Sequence, residues 1–201
     1  MTRIVIATHN PGKAREIQDL LGDVPFELIT LGRFESVTAP DETENTYVGN
    51  AILKARYYAG ALKEFVLADD SGLEVTALGG QPGVLSARYS GPDASDEDRR
   101  RKLLNELSSV KLEDRQARFV CAAALASKNG KMISVSEGAC EGTITFEERG
   151  SSGFGYDPIF QPSGYDKTFA ELSEEIKNQI SHRANALVKM RVFLTTQKWS
   201  A

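Results

Sequence analysis

Two adjacent acids, Asp69-Asp70, follow Phe65 to Ala68, a short apolar run that reads as a buried strand. Carboxylates there are expensive unless something cationic lies near, and strand ends are where open α/β sheets bind ligands. The pair suits metal binding or acid/base work, and it equally suits a turn in which one acid caps a helix and the other stays solvated. A second acidic run, Asp41-Glu42-Thr43-Glu44, precedes a helix, where acids complement the dipole. Taken with Asp70, the run offers the few carboxylates that Mg²⁺ accepts when phosphate oxygens and water complete its shell.

Cations that suit a polyphosphate are Lys13, Lys54 and Lys177. Lys13 is the best placed, since it opens a helix after the turn His9-Asn10-Pro11-Gly12. Backbone N–H groups at such a start face outward and favour anions. The turn is not a Walker A loop: Gly12-Lys13 is followed by Ala14, and the earlier glycine is missing. Lys54 and Lys177, taken alone, are ordinary surface lysines.

Ser152-Gly153-Phe154-Gly155-Tyr156-Asp157-Pro158 sets an aromatic between two residues without side chains. Phe154 in that setting either lies flat against a planar ligand or packs into the core beside a β-turn. Asp157 can accept hydrogen bonds from a ring N–H. Ser181-His182-Arg183 reads as the first turn of the last helix, with Ser181 as its N-cap. Cations are unhelpful at that end, which hints that His182 and Arg183 serve a ligand.

The elements that must position these residues follow from periodicity. Arg3 to Thr8 is a β-branched strand buried on both faces, and Phe26 to Thr30 is a second strand. Ile17, Leu20 and Leu21 recur at helical spacing after Lys13. Thr46 caps a longer helix carrying Ala51, Lys54, Ala55, Tyr58 and Leu62. Leu78 to Gly83 is a loop. Ser95 with Asp98 resembles a capping box before Leu103, Leu104 and Leu107. Ala117 to Leu125 alternates as a strand; Met132 to Ser136 and Thr143 to Phe146 follow as two more, paired antiparallel. A helix from about Arg183 to Leu194 closes the chain. The expected class is α/β: a mixed twisted sheet with flanking helices, as two lobes around a central cleft, within one domain spanning residues 1–201.

Composition narrows the function classes. The 201 residues are enough for a core without disulfide or metal staples. A net charge of −4 argues against a general nucleic-acid binder but not against a small anionic substrate. Cys121 and Cys140 lack metal-ligand spacing, and Cys121 reads as a reduced core thiol. With no signal peptide and no apolar run of about 18 residues, the expectation is a cytoplasmic protein that does not engage membrane.

Together these segments resemble the inosine triphosphate pyrophosphatase family, which acts on non-canonical purine nucleoside triphosphates. The resemblance runs in order from Ile4 to about Leu187: Thr8 to Lys13, Glu42-Thr43 with Asn50-Ala51 and Lys54-Ala55, Ala68 to Leu73, Gly79 to Gly83 with Ser86 to Tyr89, Gly153 to Phe160, and Ile180 to Arg183. It implies hydrolysis of ITP, dITP or XTP between the α- and β-phosphates, assisted by Mg²⁺, releasing a monophosphate and pyrophosphate. Thr8, His9, Asn10, Pro11, Gly12 and Lys13 would cradle phosphates, with Lys54 as a further substrate contact. Glu42 and Asp70 would bind or orient Mg²⁺, with Asp69 in the same cluster and Asp70 as general base. Ser71 would contact substrate. Phe154 would stack on the base, and Asp157 with the backbone around Gly155 and Tyr156 would hold its edge. Lys177, His182 and Arg183 would complete the pocket, with His182 and Arg183 as donors to a 6-oxo group. A homodimer is also implied.

Two positions depart from the family: Glu44 stands where Gly is usual, and Gly49 where Glu is usual. Gly49 removes the reciprocal partner of a capping box at Thr46, costing roughly 0.5–1 kcal/mol if nothing compensates. Either Glu44 replaces the missing acid, or the metal is held more weakly.

Overall fold

The computed structural model describes residues 2–34 and 37–197. In chain order the elements are β1 (Arg3–Ile6), α1 (Pro11–Leu20), β2 (Glu27–Thr30), α2 (Tyr47–Leu62), β3 (Phe65–Val75), α3 (Asp96–Glu106), β4 (Gln116–Ala126), β5 (Met132–Ile144), β6 (Phe160–Pro162), α4 (Glu174–Ile180) and α5 (His182–Thr196). The strands form one sheet in the order β2-β1-β3-β4-β5-β6. β1 runs parallel to both β2 and β3, and β5 runs antiparallel to β6. The sheet is therefore mixed and the class α/β, as expected.

The chain divides into two compact units, residues 1–70, 121–138 and 183–201 in the first, and residues 71–120 and 139–182 in the second. The first unit packs Ile4, Ile6, Ile17, Leu21, Leu67, Ala123, Leu125, Leu187, Met190 and Leu194 into one core. Ile4, Val5 and Ile6 are all buried, which explains a run without alternation: parallel strands bury both faces. The second unit has its own core, with Leu73, Val75, Leu103, Leu107, Phe119, Ile144, Phe160 and Phe169. Here Phe119 and Phe160 meet at 4.6 Å between ring centroids.

Several boundaries differ from the sequence reading. β3 does not stop at Ala68 but continues through Asp69-Asp70 to Val75, so the acids sit inside a strand. Their cost is met by cations, described below, and a paired strand then supplies the backbone bonds. The strand read at Met132–Ser136 and the Thr143–Ile144 part of the one read at Thr143–Phe146 are one, β5, because Gly138 and Gly142 interrupt the side-chain pattern without breaking the backbone; Thr145 and Phe146 lie beyond its end. Helix α4 was not read; Ser173 caps it, accepting from Ile176 N–H at 3.3 Å. Ser181, read as the N-cap of the last helix, directly precedes α5, which starts at His182, and is at the same time the C-cap of α4. The Ser95–Asp98 capping box is present in both directions. Among the described residues, no helix is long and apolar enough to cross a membrane.

Candidate active site

The turn after β1 is tighter than the sequence suggested. α1 starts at Pro11, whose fixed φ and missing N–H suit a first helical position. Asn10 is the N-cap: its Oδ1 accepts from Lys13 N–H at 3.1 Å, and its own N–H donates to Thr8 Oγ1 at 3.1 Å. The first turn carries no acid, so the positive end of the helix is left for an outside anion. His9 Nε2 lies 3.0 Å from the Tyr58 hydroxyl.

Because side chains alternate along a strand, Asp69 and Asp70 enter different surroundings. Asp69 is buried and meets Arg183 Nη2 at 3.0 Å and Lys13 Nζ at 3.3 Å. Burial opposes its charge, but Lys13 and Arg183 outweigh that and hold the carboxyl far below the usual range. Asp70 meets Lys54 Nζ at 3.1 Å and Asn50 Nδ2 at 3.3 Å. Burial, reinforced by Glu42, pushes its pKa up despite Lys54. Lys54 also donates to Glu42 Oε1 at 2.7 Å, so Glu42 and Asp70 converge on one cation position. Burial works against the Lys54 charge, yet Asp70, Asp69 and Glu42 together raise its pKa.

Arg183 is where reading and structure differ most. Its Nε and Nη2 go to Asp69 and its Nη1 to Glu16, so the guanidinium expected on a purine braces carboxylates of the first unit. The cation at a helix start, which looked unfavourable, is explained by those acids. His182, one residue earlier, belongs to the second unit and stacks on Phe119, with ring centroids 4.6 Å apart and planes 11° apart.

The remaining residues lie in the second unit. Asp157 is buried, and its Oδ2 accepts from Phe154 N–H at 2.9 Å and from Lys177 Nζ at 2.5 Å. Gly153 has φ +77°, and a Cβ there would come within 2.1 Å of that oxygen. The glycine therefore makes room for Asp157. The Lys177 ammonium stands 4.8 Å from the half-buried Phe154 ring centroid. Lys177 is thus a buried partner of Asp157, not a surface lysine. Tyr156 points inward, its hydroxyl donating to Ser86 C=O at 3.0 Å. The Gly155 N–H expected on a base edge donates to Asp96 Oδ2 at 2.8 Å. Ser71 follows Asp70 in β3 and opens the second unit.

Sequence reasoning quoted Asn50 in a motif without giving it a role, and missed Glu16, Asp96 and Arg100. Asn50 is fully buried, and its Oδ1 accepts from Glu44 N–H at 3.0 Å while Nδ2 donates to Glu44 C=O at 3.2 Å. The available signal was a lone amide one turn before Lys54 on the Ala51–Ala55 face. Gly49 is explained too. A Cβ there would meet Glu44 Cβ at 2.7 Å and Thr46 Oγ1 at 2.9 Å, so Glu44 occupies the room a larger residue needs. Half of the capping box survives, as Gly49 N–H still donates to Thr46 Oγ1 at 3.0 Å.

The Ham1 family model matches residues 4–193. The chain belongs to the Ham1 family. A Geobacillus kaustophilus protein named dITP/XTP pyrophosphatase is 50% identical over 190 residues, 94% of this chain and 93% of that relative. A Desulforamulus reducens protein of the same name is 47% identical over 187 residues, covering 93% of this chain and 92% of that one. In three dimensions the chain matches the structure of a HAM1 protein from Coxiella burnetii at TM-score 0.88 and 42% identity, over 98% of this chain and all of that one. The family and the mixed-sheet fold thus agree with the resemblance read from the motifs.

Proposed function

We propose that this member of the Ham1 family is a nucleoside-triphosphate pyrophosphatase, hydrolysing ITP, dITP and XTP to the monophosphate and pyrophosphate. The observation that carries the reading is that Glu42 and Asp70 come together on the Lys54 ammonium, in the unit that also presents the acid-free start of α1. Relatives named dITP/XTP pyrophosphatase supply the substrate class.

Two converging carboxylates fit Mg²⁺, which binds one or two of them and completes its shell with phosphate oxygens and water. Glu42 and Asp70 would hold it, and Asp69, already committed to Lys13 and Arg183, would steady the cluster from behind. When bound, the ion would neutralise charge on the triphosphate and polarise its phosphorus. Lys13 and the N–H groups of the Thr8–Lys13 turn neutralise the phosphates further. Asp70, whose pKa is raised by burial, takes the proton as water attacks the α-phosphorus. A water oxygen–phosphorus bond forms, and the bond to the β-phosphate bridge breaks to release pyrophosphate. Phe154 stacks on the base; Asp157, Lys177 and His182 set its surroundings, and Lys54 and Ser71 contact substrate. The chain acts as one catalytic domain and, on family resemblance, as a homodimer in the cytoplasm, without a nucleic-acid partner.

The test is pyrophosphate release from ITP, dITP, XTP, ATP and GTP with Mg²⁺ and then with EDTA. Metal-dependent release from the first three alone supports the reading. No release, with tight dITP binding, makes the protein a sensor and overturns it.

A further inference from the structure

Helix α3 grips the segment that carries the aromatic. Asp96 Oδ2 accepts the Gly155 N–H at 2.8 Å, and Arg100 Nη1 donates to the Gly155 C=O at 2.9 Å. Asp96 and Arg100 lie one turn apart on the same helix face, so both polar groups of one glycine are held from a single rigid element. From within the loop, Asp157 Oδ2 takes the neighbouring Phe154 N–H at 2.9 Å. Three backbone groups flanking the Phe154 ring are therefore held by charged side chains.

The holders are themselves held. Asp96 pairs with Arg99, and Arg100 Nε lies 2.9 Å from Glu148 Oε1. Ser95 and Asp98 close the capping box that fixes the start of α3. The loop itself is rich in glycine. Gly150, Gly153 and Gly155 all have positive φ, and glycine loses the most conformational freedom on ordering. At Gly155 (φ +61°) a Cβ would meet nothing within 4 Å, so no neighbour crowds that side of the residue. The Asp96–Arg100 grip holds both of its backbone polar groups.

We propose that Asp96 and Arg100 are positioning residues for purine binding, fixing the Phe154–Gly155 peptide so that the Phe154 ring is pre-set to stack on the base. The proposal rests on the reading of Phe154 as the base platform. A ring that must be ordered at the moment of binding loses affinity to that ordering; a pre-set ring does not. The effect belongs to the base, so the polyphosphate should not feel it.

The experiment measures pyrophosphate release from dITP by the full-length protein and its Asp96→Ala, Asp96→Asn, Arg100→Met, Phe154→Ala and Asp96→Ala/Phe154→Ala variants. Inorganic tripolyphosphate serves as a competing probe without a base, and thermal melts report folding. Phe154→Ala should raise KM about fivefold to a hundredfold, the span of base–aromatic stacking losses. Asp96→Ala and Arg100→Met should raise KM for dITP at least about threefold with kcat little changed and tripolyphosphate inhibition intact. Asp96→Asn keeps an acceptor oxygen and should restore most of the loss. The double variant should be no worse than Phe154→Ala alone, because the grip acts through the ring. An unchanged KM in Asp96→Ala beside a raised KM in Phe154→Ala overturns the positioning role alone. Equal losses for dITP and tripolyphosphate, or additive losses in the double variant, do the same. An unchanged KM in Phe154→Ala overturns the base-platform reading and this inference with it.

Discussion

Asp69→Asn and Asp70→Asn, one residue apart, should fail in opposite ways. Asp69 is the buried carboxylate shared by Arg183 and Lys13. Asparagine there keeps an acceptor but removes the charge that Lys13 and Arg183 share, with Glu16 still paired to Arg183. Breaking a buried pair from one side costs about 3–5 kcal/mol. At about 2–4 °C per kcal/mol for a chain of this size, Tm should fall by roughly 6–20 °C. Asp70 is different, because burial raises its pKa and the folded protein already disfavours its charge. Asp70→Asn should therefore stay within about 1 kcal/mol, roughly 2–4 °C, of the parent, while pyrophosphate release from dITP is lost. The pH dependence carries its own sign. Asp69 has a folded pKa below its unfolded value, so its stabilisation is full above the ordinary carboxylate value and fades as pH falls below about 4. The Tm gap between parent and Asp69→Asn should shrink over that range. Thermal melts from pH 3 to 8 (about one point per unit) and a pyrophosphate assay at neutral pH measure both. Equal Tm losses in the two variants, or a stable Asp69→Asn, would refute the division of labour argued from the strand.

Gly49→Glu should destabilise by about 1–3 kcal/mol through overpacking against Glu44; adding Glu44→Gly should recover most of it in urea unfolding. Gly153→Ala should cost about 1–2 kcal/mol for the left-handed backbone alone and, by displacing the Asp157 carboxylate, raise KM for dITP in steady-state assays. Cys121, buried with its thiol pushed up to about 12 by burial and then by Asp69, should resist iodoacetamide in the native protein and react after unfolding, as mass spectrometry would show.

Much was legible because local rules act locally. The continuous apolar run of β1, the caps at Thr46 and Ser95, and the ordered motifs from Thr8 to Arg183 each follow from chemistry within a few residues. They were enough to reach α/β class, the family and its set of candidate site residues. The pairings between distant residues lay outside that reach. Nothing in the sequence near Asp69 says that its cations come from Lys13 and from Arg183, 114 positions away. Reading Asp69-Asp70 as a strand end hid the alternation that sends the two acids to different partners. Arg183 looked like a ligand group because its carboxylates, Asp69 and Glu16, are remote in sequence. The Asp96–Arg100 grip on Gly155 was hidden in the same way, since 59 and 55 positions of chain separate the partners. Sequence alone determined which chemical groups this chain carries and which short elements present them. Only the tertiary structure decided which charge meets which, because long-range ion pairs depend on the folding of the intervening chain rather than on spacing along it.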